Sequence, residues 1–293
     1  MTKKIAVIND LSGFGRCSLT AAISVLSAMG VQACPLPTAI LTAQTGYPSY
    51  YCDDYTDKME RYRTEWLKMN QRFDGIYTGF VASERQIHQI FRFIDTFHTP
   101  GTRLLVDPVM GDNGHTYDMY THNLLCEMKK LVMQAETINP NLTEFCLLTD
   151  QNYQEISCLP IDRMTRQLEL LGAELCLLGP SDIVITGIDF QKEDGTGYVG
   201  NLHINREHSQ LYSFPHIGGS YSGTGDLFAS CMAAAMVRNI PLSRMIQTAG
   251  AFLEKSLADT VAEGIPRNDG VNYEQYLSML MKENGGRPGL ETI

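Results

Sequence analysis

Short apolar segments alternate with longer amphipathic segments along most of this chain. Residues 5–8 read Ile-Ala-Val-Ile, a run that is typical of a strand buried on both faces of a sheet. The apolar residues that follow recur at the three- and four-residue spacing of a helix, and Gly30 is placed to cap its C-terminus. These residues are Leu19, Ile23, Leu26 and Met29.

The same alternation continues to about residue 190. The pattern predicts further strands at 31–36, 75–78, 103–106, 137–138 and 182–186. Helical patterns lie between most of them, at 56–71, 84–97, 121–133 and 161–171. A repeated strand–helix order predicts an α/β fold, with a mostly parallel central sheet and helices on both faces.

This order breaks at residues 195–214, where the pattern is typical of an antiparallel meander. Two helices are predicted after it, at 226–238 and 243–260. No linker, repeat or low-complexity block interrupts the chain. We therefore expect one domain spanning residues 1–293, with a frayed tail from about 285 to 293.

Composition and charge narrow the classes of function. The 293 residues carry a net charge of −10, which argues against nucleic acid or an anionic membrane as the main partner. The eight cysteines show no metal-binding spacing, and the N-terminus shows no signal peptide. These features predict a cytoplasmic protein with reduced thiols.

A glycine-containing turn leads into the helix predicted at 226–238, in the segment Gly223-Thr224-Gly225-Asp226. Its glycines let the backbone turn tightly and approach a ligand. Free N–H groups at a helix N-terminus favour an anion such as a phosphate. Asp226 has two interpretations: a carboxylate that stabilises the first helical turn, or a base beside an anion hole. The segment alone leaves both open.

Polar side chains follow the predicted strands at several points. Three of them are carboxylates, namely Asp107, Asp112 and Glu144. Because ligands of open α/β sheets lie at the carboxyl ends of the strands, we expect these groups at one rim with the glycine turn. Carboxylates near phosphates need a hard cation between them, and Mg²⁺ uses one or two carboxylates together with substrate phosphates. The combination indicates phosphoryl transfer from a nucleotide.

Two other phosphate-binding motifs fit less well. Gly13-Phe14-Gly15 follows the first strand, as a dinucleotide fingerprint does, but Ser18 stands where the third glycine is needed. Gly218 and Gly223 have the spacing of a P-loop, but Thr224 occupies the lysine position.

Four motifs, taken together, resemble the ribokinase superfamily and, within it, the pyridoxal kinase branch. They are Gly223-Thr224-Gly225-Asp226, Asp107-Pro108-Val109-Met110-Gly111, Asn139-Pro140-Asn141-x-x-Glu144 and Val184-Ile185-Thr186-Gly187. The branch is further indicated by Gln44-Thr45-Gly46-Tyr47 after the second strand. The resemblance covers almost the whole chain. It implies a ribokinase-like fold and a homodimer. It also implies use of ATP and Mg²⁺, often with K⁺, to phosphorylate the 5′-hydroxymethyl group of pyridoxal, pyridoxine or pyridoxamine.

The resemblance also implies roles for single residues. Asp226 matches the base that takes the proton from the substrate hydroxyl. The backbone amides of Gly223, Thr224 and Gly225 match the anion hole over the transferred phosphoryl group. The segment 112–117 is expected to be a loop that closes over substrate.

Other implied residues bind the two substrates. The ATP site takes in Asp107, Asp112, Glu144, Thr186 and Thr224. Within it, Glu144 matches a residue tied to Mg²⁺ through water, Asp107 matches a metal or phosphate-site residue, and Thr186 matches a nucleotide-phosphate contact.

The resemblance also implies that Asp10, Thr45 and Phe80 bind the vitamer. Thr45 contacts the pyridine ring and Phe80 stacks on it. Asp10 stands where the branch has Ser, and Leu11 where it has His. Asp10 therefore either pairs with a protonated ring nitrogen or caps the following turn. Asn139 stands where some members carry Thr, which weakens the inference of K⁺.

Two alternatives remain open at this point. One is a kinase for hydroxymethylpyrimidine, a similar flat heteroaromatic alcohol. The other is a non-catalytic carrier of pyridoxal phosphate on the same scaffold, against which the retention of Asp226 argues.

Overall fold

The computed structural model describes residues 2–281 of the chain. The strands in this part are β1 (Lys3–Ser12), β2 (Val31–Leu41), β3 (Cys52–Asp54), β4 (Gly75–Thr78), β5 (Arg103–Val106), β6 (Gly111–Asp112), β7 (His115–Thr116), β8 (Thr137–Ile138), β9 (Asp182–Gln191), β10 (Gly197–Asn205) and β11 (Ser209–Pro215).

The α-helices of the same part are α1 (Ser18–Ala28), α2 (Thr56–Lys68), α3 (Glu84–Phe97), α4 (His122–Val132), α5 (Leu142–Leu148), α6 (Tyr153–Ser157), α7 (Ile161–Leu178), α8 (Thr224–Arg238), α9 (Leu242–Ala262) and α10 (Leu277–Met281). Two short 3₁₀ turns lie between α9 and α10, at Arg267–Asp269 and Glu274–Tyr276. None of the described helices is both long and apolar enough to cross a membrane.

A nine-stranded sheet runs through the centre, in the order β11-β10-β9-β8-β5-β4-β1-β2-β3. The six strands from β9 to β2 in this order pair in parallel. Antiparallel pairing is confined to the two ends, where β3 joins β2 and the meander β10–β11 joins β9. The predicted α/β class and mostly parallel sheet are therefore confirmed.

The core explains why the first strand is apolar throughout. Successive side chains of a strand point to opposite faces of the sheet. Ile5 and Val7 pack against α1, α8 and α9, whereas Ala6 and Ile8 pack against the helices of the other face. All four are at most 1 % exposed. Because helices cover both faces, no position in this segment can be polar without being buried.

Several predicted boundaries match the structure, but three strands are longer than their apolar runs. The strands at 75–78, 103–106 and 137–138 and the helix at 84–97 are confirmed, and Gly30 follows α1 with φ of +71°. By contrast β1 extends to Ser12 and so includes Asp10, β2 extends to Leu41, and Thr186 lies within β9 instead of after it. The reason is pairing: β1 continues along β2 past an irregularity in register, and β9 continues along β10.

Most of the segment 112–117, predicted to be a loop, belongs to a hairpin, whereas its closing over substrate stays a prediction. Residues 111–112 and 115–116 pair as a two-stranded antiparallel hairpin. Its two turn residues, Asn113 and Gly114, have φ of +51° and +80°. Asn-Gly is the preferred sequence for such a turn, because both residues tolerate positive φ. The Gly114 N–H also donates to Thr143 Oγ1 at 2.9 Å, which ties the hairpin to α5.

Other expectations were incomplete. The strand β3 and the short helices α5 and α6 were not predicted from the sequence. Ile23, which was placed on the apolar stripe of α1, is 36 % exposed. The predicted frayed tail lies outside the described residues.

Candidate active site

A cavity of about 780 Å³ lies at the carboxyl ends of the parallel strands. Every residue that the sequence predicted for the site lines it. These residues are Asp10, Thr45, Phe80, Asp107, Asp112, Glu144, Thr186, Gly223, Thr224, Gly225 and Asp226. They come from segments more than 200 residues apart, so the sheet topology is what brings them together.

Two helix N-termini meet at one wall of this cavity. Gly223 precedes α8 with φ of +84°, in the left-handed region that favours glycine. A Cβ atom at this position would lie 2.2 Å from the carbonyl oxygen of Arg16, just before α1. Only glycine therefore allows α8 to begin so close to the start of α1.

Gly225 has a different role in the same turn. It lies in the first turn of α8, and a Cβ atom built there would meet no atom within 4 Å. The backbone tolerates a side chain, but the side chain would enter the cavity. The first-turn N–H groups of α8 have no carbonyl partner in the preceding turn, so they are free to bind an anion in this space.

Asp226 lies beside these amides at the cavity wall. Its Oδ1 accepts a hydrogen bond from Asn9 Nδ2 at 3.1 Å. Removal from bulk water raises its pKa to about 6, a Ser18 backbone N–H lowers the pKa, and the nearby charge of Asp10 raises it. A carboxylate with this pKa is ionised at neutral pH and accepts protons more readily than an exposed aspartate.

Asp10 lines the cavity but is held by serine hydroxyls. Its side chain is 6 % exposed, and Oδ2 accepts a hydrogen bond from Ser12 Oγ at 2.7 Å. Burial raises its pKa, while hydrogen bonds from Ser18 and Ser12 lower it. Both interpretations of Asp10 thus keep support, since the carboxylate borders the cavity and also organises the start of α1.

Glu144 is part of a capping box at the N-terminus of α5. Its Oε2 accepts from the Asn141 N–H at 2.7 Å and its Oε1 from the Met110 N–H at 3.0 Å. Asn141 Oδ1 in turn accepts from the Glu144 N–H at 2.9 Å. The spacing Asn141-x-x-Glu144 is the sequence signature of this cap, which gives Glu144 a structural role besides the predicted one.

Glu144 and Asp107 lie in one buried acidic region. Burial raises the pKa of Glu144 to about 8, although the backbone N–H groups lower it. Burial also raises the pKa of Asp107, and the charges of Glu144 and Asp226 raise it further. Ionisation of these two carboxyl groups therefore costs free energy, and a bound cation would offset that cost.

The other residues predicted for the ATP site lie at the rim. Asp112 Oδ1 accepts from the Asn113 N–H at 3.0 Å, at the tip of the β6–β7 hairpin. The Thr186 N–H donates to the Pro140 carbonyl at 2.9 Å, which joins β9 to the segment before α5. Thr224 Oγ1 donates to the Tyr221 carbonyl at 3.2 Å.

The two residues predicted to contact the ring lie on segments that are held in place by different contacts. Thr45 is exposed on the loop between β2 and β3, whereas Phe80 follows β4 and its N–H donates to Asn9 Oδ1 at 2.9 Å. The sequence did not indicate what holds the Thr45 loop. Gln44 Nε2 donates to Ser222 Oγ at 3.1 Å, which ties that loop to the segment before α8.

The apolar end of the cavity was not predicted from the sequence either. It is lined by Val199, Phe214, Ile217, Leu253 and Leu257, from β10, β11, the segment after β11, and α9. A Cβ atom at Gly250 would lie 2.0 Å from the Phe214 ring, so glycine lets the ring pack on α9. In the sequence these residues are indistinguishable from core residues, because only the fold leaves their faces uncovered.

Acidic residues greatly outnumber basic residues in the cavity lining. Eight carboxylates line the cavity, and Arg267 is the one lysine or arginine in the lining. Within residues 2–281, no group of three His, Cys, Asp or Glu side chains is close enough to form a metal site without other ligands. One or two carboxylates that need phosphate oxygens or water to complete the shell suit Mg²⁺. Asp107 and Glu144 therefore fit such an ion.

Comparison with known proteins identifies the family. The family model for phosphomethylpyrimidine kinase matches residues 15–270. The chain belongs to this family. The predicted membership of the ribokinase superfamily is thereby confirmed, and the protein is a kinase.

Solved structures of family members cover nearly the whole chain. A proposed phosphomethylpyrimidine kinase of Bacteroides thetaiotaomicron, crystallised with pyridoxal, is 35% identical with a TM-score of 0.84 over 96% of both chains. A pyridoxal kinase of Lactobacillus plantarum is 28% identical with a TM-score of 0.82, over 97% of this chain and 98% of that one. Among curated proteins, a proposed pyridoxal kinase of Schizosaccharomyces pombe is 30% identical over 168 residues, which are 55% of this chain and 46% of that protein.

The two glycines of the α8 turn should respond differently to alanine. Gly223→Ala places a Cβ against the Arg16 carbonyl at positive φ, so we expect a stability loss of about 1–2 kcal/mol or more. Gly225→Ala should keep or slightly raise the melting temperature but weaken binding of a non-hydrolysable ATP analogue, because the methyl group enters the cavity. Thermal unfolding and calorimetric titration with that analogue measure both effects. Wild-type affinity of Gly225→Ala for the analogue would contradict an anion site at this turn.

Proposed function

We propose that this protein transfers the terminal phosphoryl group of ATP to the 5′-hydroxymethyl group of pyridoxal, pyridoxine or pyridoxamine. The observation that carries the proposal is the position of Asp226, a half-buried carboxylate of raised pKa in the same helical turn as free backbone amides. The related Bacteroides structure with pyridoxal and the Lactobacillus pyridoxal kinase support the choice of substrate.

In the proposed reaction Asp226 is the general base. The vitamer hydroxyl oxygen attacks the terminal phosphorus, its proton passes to the carboxylate, and the bond to the bridging oxygen breaks to release ADP. Phosphoryl transfer depends mainly on positioning and charge stabilisation. A base with a pKa near the working pH accepts the proton without being protonated beforehand.

The amides of Gly223, Thr224 and Gly225 form the anion hole in this proposal. They lie at the positive end of α8, where developing negative charge on the phosphoryl oxygens is stabilised. The absence of a Cβ at Gly225 leaves room for those oxygens. The same geometry explains why the motif needs glycine on both sides of Thr224.

Asp107 and Glu144 are the residues that would hold Mg²⁺. When bound, the ion would neutralise phosphate charge that the acidic lining cannot. Asp112, Thr186 and Thr224 lie where the phosphate chain would pass, and the apolar end of the cavity suits the flat purine. We keep K⁺ as part of the proposal only through the family resemblance.

Asp10, Thr45 and Phe80 form the vitamer site in the proposal. All three border the cavity on the β1, β2 and β4 side, away from the apolar end formed by β10 and β11. Phe80 offers an aromatic face to the pyridine ring, and Asp10 offers an acceptor for a protonated ring nitrogen.

Hydroxymethylpyrimidine is the second candidate substrate, because the matching family model is named for phosphomethylpyrimidine kinase. We also keep two finer expectations as proposals. One is a homodimer, as in the branch that the sequence resembles. The other is a cytoplasmic location, which the eight free cysteines support.

A panel of substrates tests the function directly. With ATP and Mg²⁺, we expect phosphorylation of B6 vitamers with a higher kcat/KM than for hydroxymethylpyrimidine. Asp226→Asn should lower kcat by about two to four orders of magnitude while ADP still binds, because the amide keeps the shape but accepts no proton.

Asp162→Asn is the matched control, since Asp162 is a first-turn aspartate of α7 that does not line the cavity. Its kcat should stay at the wild-type value. Near-normal turnover of Asp226→Asn would show that Asp226 only stabilises the first turn of α8. Absence of any phosphorylated product from the wild type would favour a non-catalytic carrier of pyridoxal phosphate.

The pH dependence of kcat/KM should follow the ionisation of Asp226. The base acts only when ionised, so kcat/KM should rise as pH increases through about 6 and then level off. Asp10→Ser should move this rise to lower pH, because the charge of Asp10 raises the pKa of Asp226. Steady-state kinetics between pH 5 and pH 8, in a buffer of constant ionic strength, measure the shift. A profile that is flat across pH 6 would contradict the assignment.

Glu144→Gln should raise the Mg²⁺ concentration that half-saturates activity by several-fold, since an amide holds a cation less well. Both Glu144 oxygens accept backbone N–H groups, so the new NH₂ group should also lower stability. Melting temperatures separate that effect from Mg²⁺ dependence. Glu84→Gln, in the first turn of α3 and outside the cavity, is the control. An unchanged Mg²⁺ dependence would remove Glu144 from the metal site.

A further inference from the structure

Asn9 is a fully buried polar side chain at the end of β1 that no motif indicated. It has 0% exposed surface and precedes the irregularity in the pairing of β1 with β2. Its Nδ2 donates to Asp226 Oδ1 at 3.1 Å. Its Oδ1 accepts from the Phe80 N–H at 2.9 Å and from the Asp10 N–H at 3.0 Å.

One amide thus contacts three residues that border the cavity, two of them on other segments of the chain. The donor end faces the carboxylate of Asp226, and the acceptor end faces the backbone of Phe80 and Asp10. No other residue type reproduces this set at the same length: aspartate lacks the donor, serine is too short and glutamine is longer by one methylene. The arrangement therefore specifies asparagine.

Gly79 shows that the surroundings are shaped for this amide. A Cβ atom built on Gly79 would lie 2.4 Å from Asn9 Nδ2 and 2.6 Å from its Cγ. The φ of Gly79 is not in the left-handed region, so the backbone itself does not require glycine. What excludes a side chain at position 79 is the place that the Asn9 amide occupies.

We propose that Asn9 is a positioning residue that holds the carboxylate of Asp226 and the backbone of Phe80 in a fixed relation. The proposal rests on the proposed function, in which these two residues are the base and the ring contact. A hydrogen bond from a buried amide to a carboxylate limits rotation of that carboxylate. The attacking hydroxyl and the ring are parts of one molecule, so the base and the ring contact must be held at a constant separation.

The other groups near Asp226 come from several elements. Asp107 and Asp10 interact with it through charge, and so do Cys17 and Tyr77. The side-chain hydrogen bond to its carboxylate comes from Asn9, and within the described part of the chain Tyr77 Oη has no hydrogen-bond partner. The backbone N–H of Ser18 also hydrogen-bonds Asp226, but it belongs to α1 and has no connection to Phe80. Asn9 is the group that contacts both.

Two variants disturb the contact in different ways. Asn9→Ala removes the amide, and Gly79→Ala leaves the amide in the chain but forces it to move. We expect each to lower kcat with a B6 vitamer by about tenfold or more and to raise the vitamer KM, with the KM for ATP unchanged. A purely structural role would not separate the two substrates in this way.

The double variant gives the decisive comparison. If Gly79→Ala acts through Asn9, then Asn9→Ala with Gly79→Ala should be no slower than Asn9→Ala alone, because the methyl group then has room. Multiplying effects of the two changes would overturn the proposal. Wild-type kcat in Asn9→Ala would overturn it as well.

Asn272→Ala is the matched control. Asn272 is also a buried asparagine whose Nδ2 donates to a carboxylate, Glu263 Oε2 at 2.7 Å, and it does not line the cavity. The Asn272→Ala variant should have a lower melting temperature and an unchanged kcat.

Asp226→Asn distinguishes a failure of the proposed function from a failure of the positioning role. Substantial turnover in Asp226→Asn refutes the proposed base, whereas an inactive Asp226→Asn beside fully active Asn9 and Gly79 variants refutes only the positioning role.

Discussion

The close approach of two helix N-termini is the constraint on which the site depends. α1 and α8 begin next to each other because Gly223 has no side chain to meet the Arg16 carbonyl. Their positive ends then face the same volume, where Asp10 is buried and Asp226 is half-buried. Two carboxylates in one region of low dielectric repel each other, and the dipoles and N–H groups of the two helices offset this repulsion.

The acidic side chains near the start of α5 are held in a different way. Glu144 is stabilised by two backbone N–H groups in its capping box, and Asp107 sits beside it with a raised pKa. Fixed amides therefore orient Glu144 whether or not a cation is present. The N-terminus of α8 supplies positive potential from the backbone, whereas burial makes the carboxyl groups beside α5 hard to ionise without a cation. In the proposed reaction, the phosphate chain would face α8 and its cation would face Asp107 and Glu144.

Much of this organisation could be predicted from the sequence, because local signals carried it. The apolar runs of the central strands, the helix at 84–97 and the glycine turn each have a pattern within a few residues. The Asn113-Gly114 hairpin and the Asn141-x-x-Glu144 cap also have local signatures. No local pattern predicts the contacts of Asn9 and Gln44, since their partners are Asp226 and Ser222, far along the chain. The apolar end of the cavity was hidden for a related reason: Phe214 and Leu253 look like core residues until the fold leaves them facing a space.

The unequal charges of the cavity lining have a consequence for the kinetics of nucleotide entry. In the proposed reaction, a nucleotide approaches a cleft lined by eight acidic residues in a protein of net charge −10, and those residues that are ionised would repel it before it reaches the helix N-termini. At physiological ionic strength this repulsion is screened beyond about 8 Å, so it acts mainly in the last step of entry. Added salt should therefore speed association, the reverse of the usual effect for a site with basic residues. For the proposed function, such a lining would favour entry of nucleotides whose charge a cation has already partly neutralised.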